Sequence, residues 1–117
     1  MAAMREPTFL ILTALAPGAL HGYGLMQEIG ELSRGEVALG AGTLYGALDR
    51  LAEQGLIAVD REEAVDGRLR RYYRLTDEGA AVLDAEARRL ADNAAEARRR
   101  LRSRPAAAQF IAAAFVG

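Results

Sequence analysis

The residues of this sequence whose types and spacing suit chemistry are arginines set beside small or hydroxylated neighbours. The chemistry they offer is recognition of phosphates and base edges. Gly42, Thr43 and Arg50 fall within one stretch of helical periodicity. A guanidinium such as that of Arg50 can make two parallel hydrogen bonds to a base edge, and Thr43 can bond a base or a phosphate. Gly42 and Gly46 would let a backbone approach closely, at some cost in helix propensity. Arg68, Arg70 and Arg71 cluster beside the pair Asp66-Gly67, a turn signal, where a hairpin tip can meet phosphate or a narrow minor groove. Against them stand Asp49, Glu53, Glu62, Glu63 and Asp66, which repel phosphate unless aimed away or paired. The most basic stretch is Arg98, Arg99, Arg100, Arg102 and Arg104. It suits a solvated helix end beside the negative pole of the macrodipole better than a phosphate contact.

No catalytic or metal chemistry assembles beside these groups. His21 is the single histidine, at the start of a helical stretch, and reads as a cap or packing residue rather than a base. With no cysteine there is no thiolate, no cysteine-ligated metal and no disulfide, which suits a reducing cytoplasm. Carboxylates are scattered over exposed helix faces, and Gly22-Tyr23-Gly24 opens a helix after another helix, not a phosphate loop after a strand. The expectation is a non-enzyme with no cofactor and no metal.

Bulk composition narrows the class further. The 117 residues carry 15 basic side chains, all arginine, against 16 acidic ones, for a net charge of -1. Overall charge therefore says nothing for nucleic acid, and any such case rests on where the charge sits. The uniform choice of arginine also follows from GC-rich coding. At 51% hydrophobic and 26% charged, the chain reads as one ordinary globular domain with a short appendage. No signal peptide is visible, and no run approaches the ~18 uninterrupted apolar residues of a membrane span.

The elements that must position these residues follow from apolar spacing. Pro7 suits the first turn of a helix carrying Phe9, Leu10, Leu12 and Leu15, which Ala16-Pro17-Gly18 stops. A second helix starts near Gly22 with the stripe Leu25, Met26, Ile29 and Leu32, and Ser33-Arg34-Gly35 ends it. Val37 to Leu39 is a short extended piece. A third helix runs from about Ala41 to Gln54, with Leu44, Leu48 and Leu51 inward and Gly55 as its cap. Residues Leu56 to Arg61 and Leu69 to Leu75 read as two strands joined by a rather long loop around Asp66-Gly67. Alternation puts Tyr73 and Leu75 on one face and Arg70, Tyr72 and Arg74 on the other. Thr76 caps a long helix reaching about Ser103, and Ala106 to Val116 follows as an apolar tail.

The fold class expected is mainly α with a two-stranded β wing: a winged helix-turn-helix over residues 1–76 and a helical dimerisation segment over 77–117. In that arrangement the third helix enters the major groove and the hairpin touches neighbouring backbone or minor groove. The long helix carries a seam at Ala80, Leu83, Ala87, Leu90, Ala94, Ala97 and Leu101, alternating steps of three and four, which suits a partner helix. A helix this long cannot bury its stripe against so small a body, so Leu83, Ala87, Leu90, Ala94 and Leu101 are assigned to a homodimer.

Thr8 to Leu15, His21-Gly22-Tyr23-Gly24, Gly42-Thr43-Leu44-Tyr45 with Leu48, Arg50-Leu51, Gly55-Leu56-Ile57 and Arg71-Tyr72-Tyr73-Arg74-Leu75-Thr76 with Gly79 together resemble PadR-type transcriptional regulators. With a single C-terminal helix, the chain resembles the short subfamily. The resemblance implies a homodimeric winged-helix repressor that releases DNA when a small effector binds. It also implies that Tyr23, Thr43, Tyr45 and Arg50 lie at the DNA surface and that Arg70 and Arg71 belong to the wing. Position 46, often proline in the family, is glycine here, which loosens the start of the recognition helix. Some short members bind planar drugs between the long helices and the first helices. The equivalent surface here carries Phe9, Thr13, Leu83, Ala87, Leu90 and Ala94. No aromatic residue occurs between Ala80 and Arg104, so stacking on the long helix is absent, and Phe9 or Phe110 are the aromatic contributors left. An apolar small-molecule effector and a filled dimer core both remain open for that surface.

The expectation is thus a cytoplasmic, homodimeric, sequence-specific regulator of double-stranded DNA, reading an approximate inverted repeat. Its DNA contacts are Tyr23, Gly42, Thr43, Tyr45, Arg50, Arg68, Arg70 and Arg71. The alternative is an effector-binding or protein-interaction dimer that no longer binds DNA, favoured by the acids around the same face.

Overall fold

A computed structural model describes residues 3–106 of the chain. The element order is α1 (Glu6–Leu15), β1 (Leu20–His21), α2 (Gly22–Leu32), α3 (Ala41–Glu53), β2 (Ile57–Val65), β3 (Arg68–Leu75) and α4 (Asp77–Arg102). Residues up to Glu86 form one compact unit, and the rest of α4 belongs to a second. The apolar tail from residue 107 onward, Phe110 included, lies outside the described residues.

The core of the first unit is a three-helix cluster closed by the sheet. Ile11, Leu12 and Leu15 of α1, Leu25 and Ile29 of α2, Leu44 and Leu48 of α3, and Ile57 of β2 are fully buried, with Tyr73 of β3 beside them. Each such aliphatic side chain contributes roughly 1.5–3 kcal/mol by leaving water. The inward stripe of α3 is the expected one. On α2 the stripe ends a turn early: Leu32 is 43% exposed, because the helix stops there in a reversal through Arg34 (φ 56°) and Gly35 (φ 80°). On α1, Ile11 and Ala14 face inward and Phe9 is only half-buried. That helix is apolar on nearly every side, so its periodicity does not single out a face.

The sheet has three antiparallel strands in the order β1-β3-β2, where two strands were expected. Leu20 pairs with Tyr73 and His21 with Tyr72. A two-residue strand is too short to leave an alternating pattern, so its sequence carries no signal of it. The hairpin also differs from expectation. β2 continues to Val65, which pairs with Arg68, so the loop is only Asp66-Gly67. Both residues have positive φ, 51° and 76°, as a two-residue type I′ turn requires. Arg61-Glu62-Glu63-Ala64 lacks apolar alternation because that stretch of β2 is exposed on both faces. A bulge at Asp60 shifts the register between Val59↔Tyr73 and Arg61↔Tyr72 and so re-aims the outer half of the hairpin.

Two small devices fix α3 to the wing and to α4. Gly55, at φ 77°, ends α3 in a left-handed reversal, with the Leu56 amide donating to the Leu51 carbonyl at 3.0 Å and the Gly55 amide to Ala52 at 3.0 Å. Thr76 then caps α4: its Oγ1 accepts the Gly79 amide at 3.0 Å and donates to the Gly55 carbonyl at 2.7 Å. Gly79 is glycine for a steric reason, since a Cβ there would run into the Leu56 carbonyl and the Leu75 side chain.

Candidate nucleic-acid interface

The surface of α3 is set by what its inner face must bury. With Leu44, Ala47, Leu48 and Leu51 turned inward, Gly42, Thr43, Asp49 and Arg50 are exposed and Tyr45 is 45% exposed. Small residues on this helix could have served packing, but nothing lies within 4 Å of a Cβ built on Gly42. On Gly46 such a Cβ meets only Arg50 Nη1, at 3.8 Å. Packing among the described residues therefore does not demand glycine at either position. Gly22 is different: a Cβ there would overlap the Tyr45 hydroxyl and ring, so the start of α2 and the recognition helix are held face to face. Next to it Tyr23 stands 62% exposed, its Oη accepting Gln27 Nε2 at 3.4 Å.

Between α3 and the hairpin lies an open cleft of about 830 Å³, lined among others by Tyr23, Tyr45, Asp49, Arg68, Arg70 and Arg71. The sequence-assigned residues on α2, α3 and the wing are thus brought to one concavity, apart from Gly42, Thr43 and Arg50. Its electrostatics are mixed. Arg71 pairs across the strands with Glu62 at 3.2 Å, and hydrogen bonds to Tyr73 and Glu62 hold its guanidinium above its ordinary range. Arg61 is clamped between Asp60 at 3.0 Å and Glu63 at 2.8 Å, and lies 3.9 Å over the Tyr72 ring. The hydrogen bond from Arg61 holds the Glu63 carboxyl below its usual value. Of the arginines lining the cleft, Arg68 and Arg70 make no ion pair among the described residues.

His21 has a packing role. Its backbone caps α2 with no side-chain cap bond, and its ring meets Tyr72 edge-on at 5.3 Å. Burial, then the charge of Arg70, lowers its pKa from the ordinary 6.5. Among the described residues no group of three His, Cys, Asp or Glu side chains could hold a metal ion.

Arg50 sits on the other flank of α3. It lines a smaller cleft of about 350 Å³ together with Met4, Arg5, Thr8, Gln54 and Leu56. Sequence reasoning passed over Arg5, which lies outside every periodic stripe. A buried carboxylate also went unforeseen: Glu86 is 8% exposed and accepts the Met4 amide at 3.0 Å, tying the start of the chain to α4.

In the second unit, Ala87, Leu90, Ala94, Ala97 and Leu101 are all exposed, Leu90 at 41% and Leu101 at 64%. Glu96 pairs with Arg99 and Arg100 along the same helix. In the first unit, Phe9, Thr13 and Leu83 are half-buried, and the Thr13 hydroxyl is spent on the Phe9 carbonyl at 2.7 Å. No helix among the described residues is long and apolar enough to cross a membrane.

Comparison with known proteins places this geometry in a family. Residues 11–85 match the model of the "Transcriptional regulator PadR-like family". The chain is 43% identical over 86 residues to "Transcriptional regulator Rv3488" of Mycobacterium tuberculosis, covering 74% of this chain and 77% of that protein. Among solved structures, a PadR family transcription regulator from Clostridium difficile R20291 superposes with a TM-score of 0.69 at 26% identity, covering 83% of this chain and 99% of that one. Bacillus subtilis PadR in complex with operator DNA superposes with a TM-score of 0.62 at 26% identity; 69% of this chain is covered and 46% of that one. The matching stretch on this chain includes α2, α3, the wing and the start of α4. The chain belongs to the PadR-like family of transcriptional regulators.

Proposed function

We propose that this chain is a cytoplasmic homodimer that binds double-stranded DNA in a sequence-specific manner and represses transcription until a small effector relieves it. Each subunit presents α3 to a major groove and the hairpin to the adjacent backbone, through Tyr23, Gly42, Thr43, Tyr45, Arg50, Arg68, Arg70 and Arg71. Two such subunits related by a two-fold axis read an approximate inverted repeat, with half-sites about one helical turn apart. Residues 1–76 serve DNA and residues 77–117 serve dimerisation.

The observation that carries the reading is the pairing of an unobstructed recognition helix with two unpaired wing arginines. Gly42 faces open space on α3, while Arg68 and Arg70 line the cleft between α3 and the hairpin and make no ion pair among the described residues. The operator complex of Bacillus subtilis PadR supports the same use of the shared fold. Fluorescence anisotropy tests it, with a duplex from upstream of the protein's own gene beside a scrambled duplex, at low and physiological salt. Preferential, saturable binding that persists at physiological salt is expected. Equal weak binding to both, vanishing with salt, favours the second reading, a dimer for effectors or protein partners that no longer uses its winged helix on DNA. The Arg71–Glu62 pair and the exposed Asp49 in the cleft are what favour that second reading.

Phe9, Thr13 and Leu83 of the first unit and Ala87, Leu90 and Ala94 of the second are the residues proposed to meet an effector. With no aromatic on the long helix, the ligand they suit is apolar rather than a stacked planar dye. Thermal-shift screening of apolar compounds, followed by release of the bound duplex, separates an effector site from a filled dimer core.

A further inference from the structure

We infer that Arg5, with Arg50, forms a phosphate clamp for the DNA backbone on the flank of α3 opposite the wing, an inference that rests on the DNA-binding reading above. Stepping along α3 at ~100° per residue puts Tyr45 and Asp49 on one flank and Thr43 and Arg50 on the other, with Gly42 and Gly46 between. The first flank faces the cleft shared with the wing. The second faces the cleft of about 350 Å³ that Arg50 shares with Arg5 and Thr8.

The two clefts differ in charge. Asp49 and Asp66 line the wing cleft, and one of its arginines is already committed to Glu62. The smaller cleft contains two arginines, a threonine and a glutamine, and no acidic residue lines it. Neither Arg5 nor Arg50 makes an ion pair among the described residues, and both are exposed. The acids nearest them in sequence, Glu6 beside Arg5 and Asp49 and Glu53 around Arg50, are exposed and line none of this cleft. The Glu86 carboxylate accepts the Met4 amide beside Arg5 but does not line the cleft, so two arginines line one concavity with no acid in its lining; water solvates them, and they offer an anion two forked donors.

A helix seated in a major groove has a phosphate backbone on each side. The wing accounts for one side. The cleft between α1 and α3 is where the other backbone passes, and a single phosphate there can take donors from both guanidiniums, with Thr8 and Gln54 beside them. This explains why a wing so diluted by acids can suffice: a second, undiluted basic contact lies across the helix. A free carboxylate or phosphate could use the same donors, and the experiment separates the two sources.

The test is the salt dependence of duplex binding by wild type, Arg5→Ala and Arg5→Lys, on operator and scrambled duplexes. Each lost phosphate contact lowers the slope of log K against log salt by about 0.9. Arg5→Ala is expected to reduce that slope by about one per engaged subunit and to weaken both duplexes alike by severalfold, with Arg5→Lys recovering most of the slope. An unchanged slope in Arg5→Ala overturns the clamp, provided wild type binds. If wild type itself shows no salt-dependent binding, the DNA reading fails before the clamp is reached. Calorimetric titration of the free protein with inorganic phosphate at constant ionic strength supplies the other arm. Saturable binding that is lost in Arg5→Ala while the duplex slope stays unchanged assigns the pair to a free anion and overturns the proposal. No heat with phosphate, together with the lowered slope, supports it.

Discussion

Arg70 and Arg71 are adjacent in sequence yet have different electrostatic surroundings, and strand geometry is the reason. Arg71 faces Glu62 directly across the hairpin and is paired there, whereas Arg70, opposite Glu63, makes no direct ion pair because Arg61 bonds that carboxylate, though the Arg70 charge still helps hold Glu63 ionised. Arg70→Ala should therefore weaken specific and scrambled duplexes alike, since it removes a backbone contact; a loss confined to the specific duplex contradicts that role. Glu62→Gln should do the reverse. It removes the counter-charge of Arg71 while Tyr73 still holds the guanidinium, and should raise affinity for any duplex with almost no change in melting temperature, because an exposed pair of this kind is worth about 0–1 kcal/mol. Arg50→Ala should cost about 1–3 kcal/mol on the specific duplex if the guanidinium reads a base edge. A uniform loss on both duplexes would instead leave Arg50 to phosphate alone. His21 adds a pH dependence whose sign is fixed by its environment. Because burial and Arg70 depress its pKa, the unfolded chain binds the proton more readily, so stability is full above the ordinary 6.5 and declines as pH falls below it. The melting temperature should fall less between pH 7 and pH 5.5 in His21→Gln than in wild type.

At the scale of elements, glycine separates packing from function. Gly79→Ala forces a Cβ onto the Leu56 carbonyl, a backbone atom that cannot swing away, so it should destabilise the fold by about 1–3 kcal/mol or more. Gly42→Ala adds a methyl group into open space on a helix, so it should stabilise by up to about 1 kcal/mol. If DNA backbone or bases come close at Gly42, the same variant binds the duplex more weakly while melting higher. Thermal melts paired with anisotropy read both, and tighter or unchanged binding removes Gly42 from the interface. These elements were legible in the sequence to different degrees. The inner stripe of α3 and the Thr76 cap could be read because each is a strong local signal: leucines at helical spacing, and a hydroxyl ahead of two acids. β1 could not, being two residues whose pairing partners lie some fifty positions away. The outer half of β2 was missed because Arg61 to Ala64 is exposed on both faces, so no alternation marks it. Several of the sequence's candidate DNA-contact residues do line the wing cleft, but the Glu62–Arg71 and Asp60–Arg61–Glu63 pairings depend on strand register and a bulge, which composition does not specify. Arg5 was invisible for a related reason, since only the packing of α1 beside α3 brings it to Arg50.

At the scale of the whole molecule, the question is what the outer part of α4 is for. Beyond Glu86 the helix carries Leu90 and Leu101 exposed along a stripe otherwise made of alanine. Isolated helices shorter than ~12–15 residues are marginal in water, and a longer one gains most of its stability from burying an apolar face. In the proposed homodimer a partner helix would supply that face, and the same association would double the number of arginines presented to DNA without any new basic residue. For a chain with a net charge of -1, that doubling would matter, since affinity would come from local clusters counted twice. The alanine-rich stripe permits close approach but removes little apolar area from water, so the dimer should dissociate measurably on dilution. Leu90→Arg, placed at an exposed position, should leave the melting of the first unit intact while shifting sedimentation toward the monomer. Duplex affinity should then fall by an order of magnitude or more, and the salt slope should drop toward half, because each half-site is engaged alone. A variant that sediments as a monomer yet keeps the wild-type slope would show that one subunit carries the whole interface, and the inverted-repeat reading of the operator would go with it.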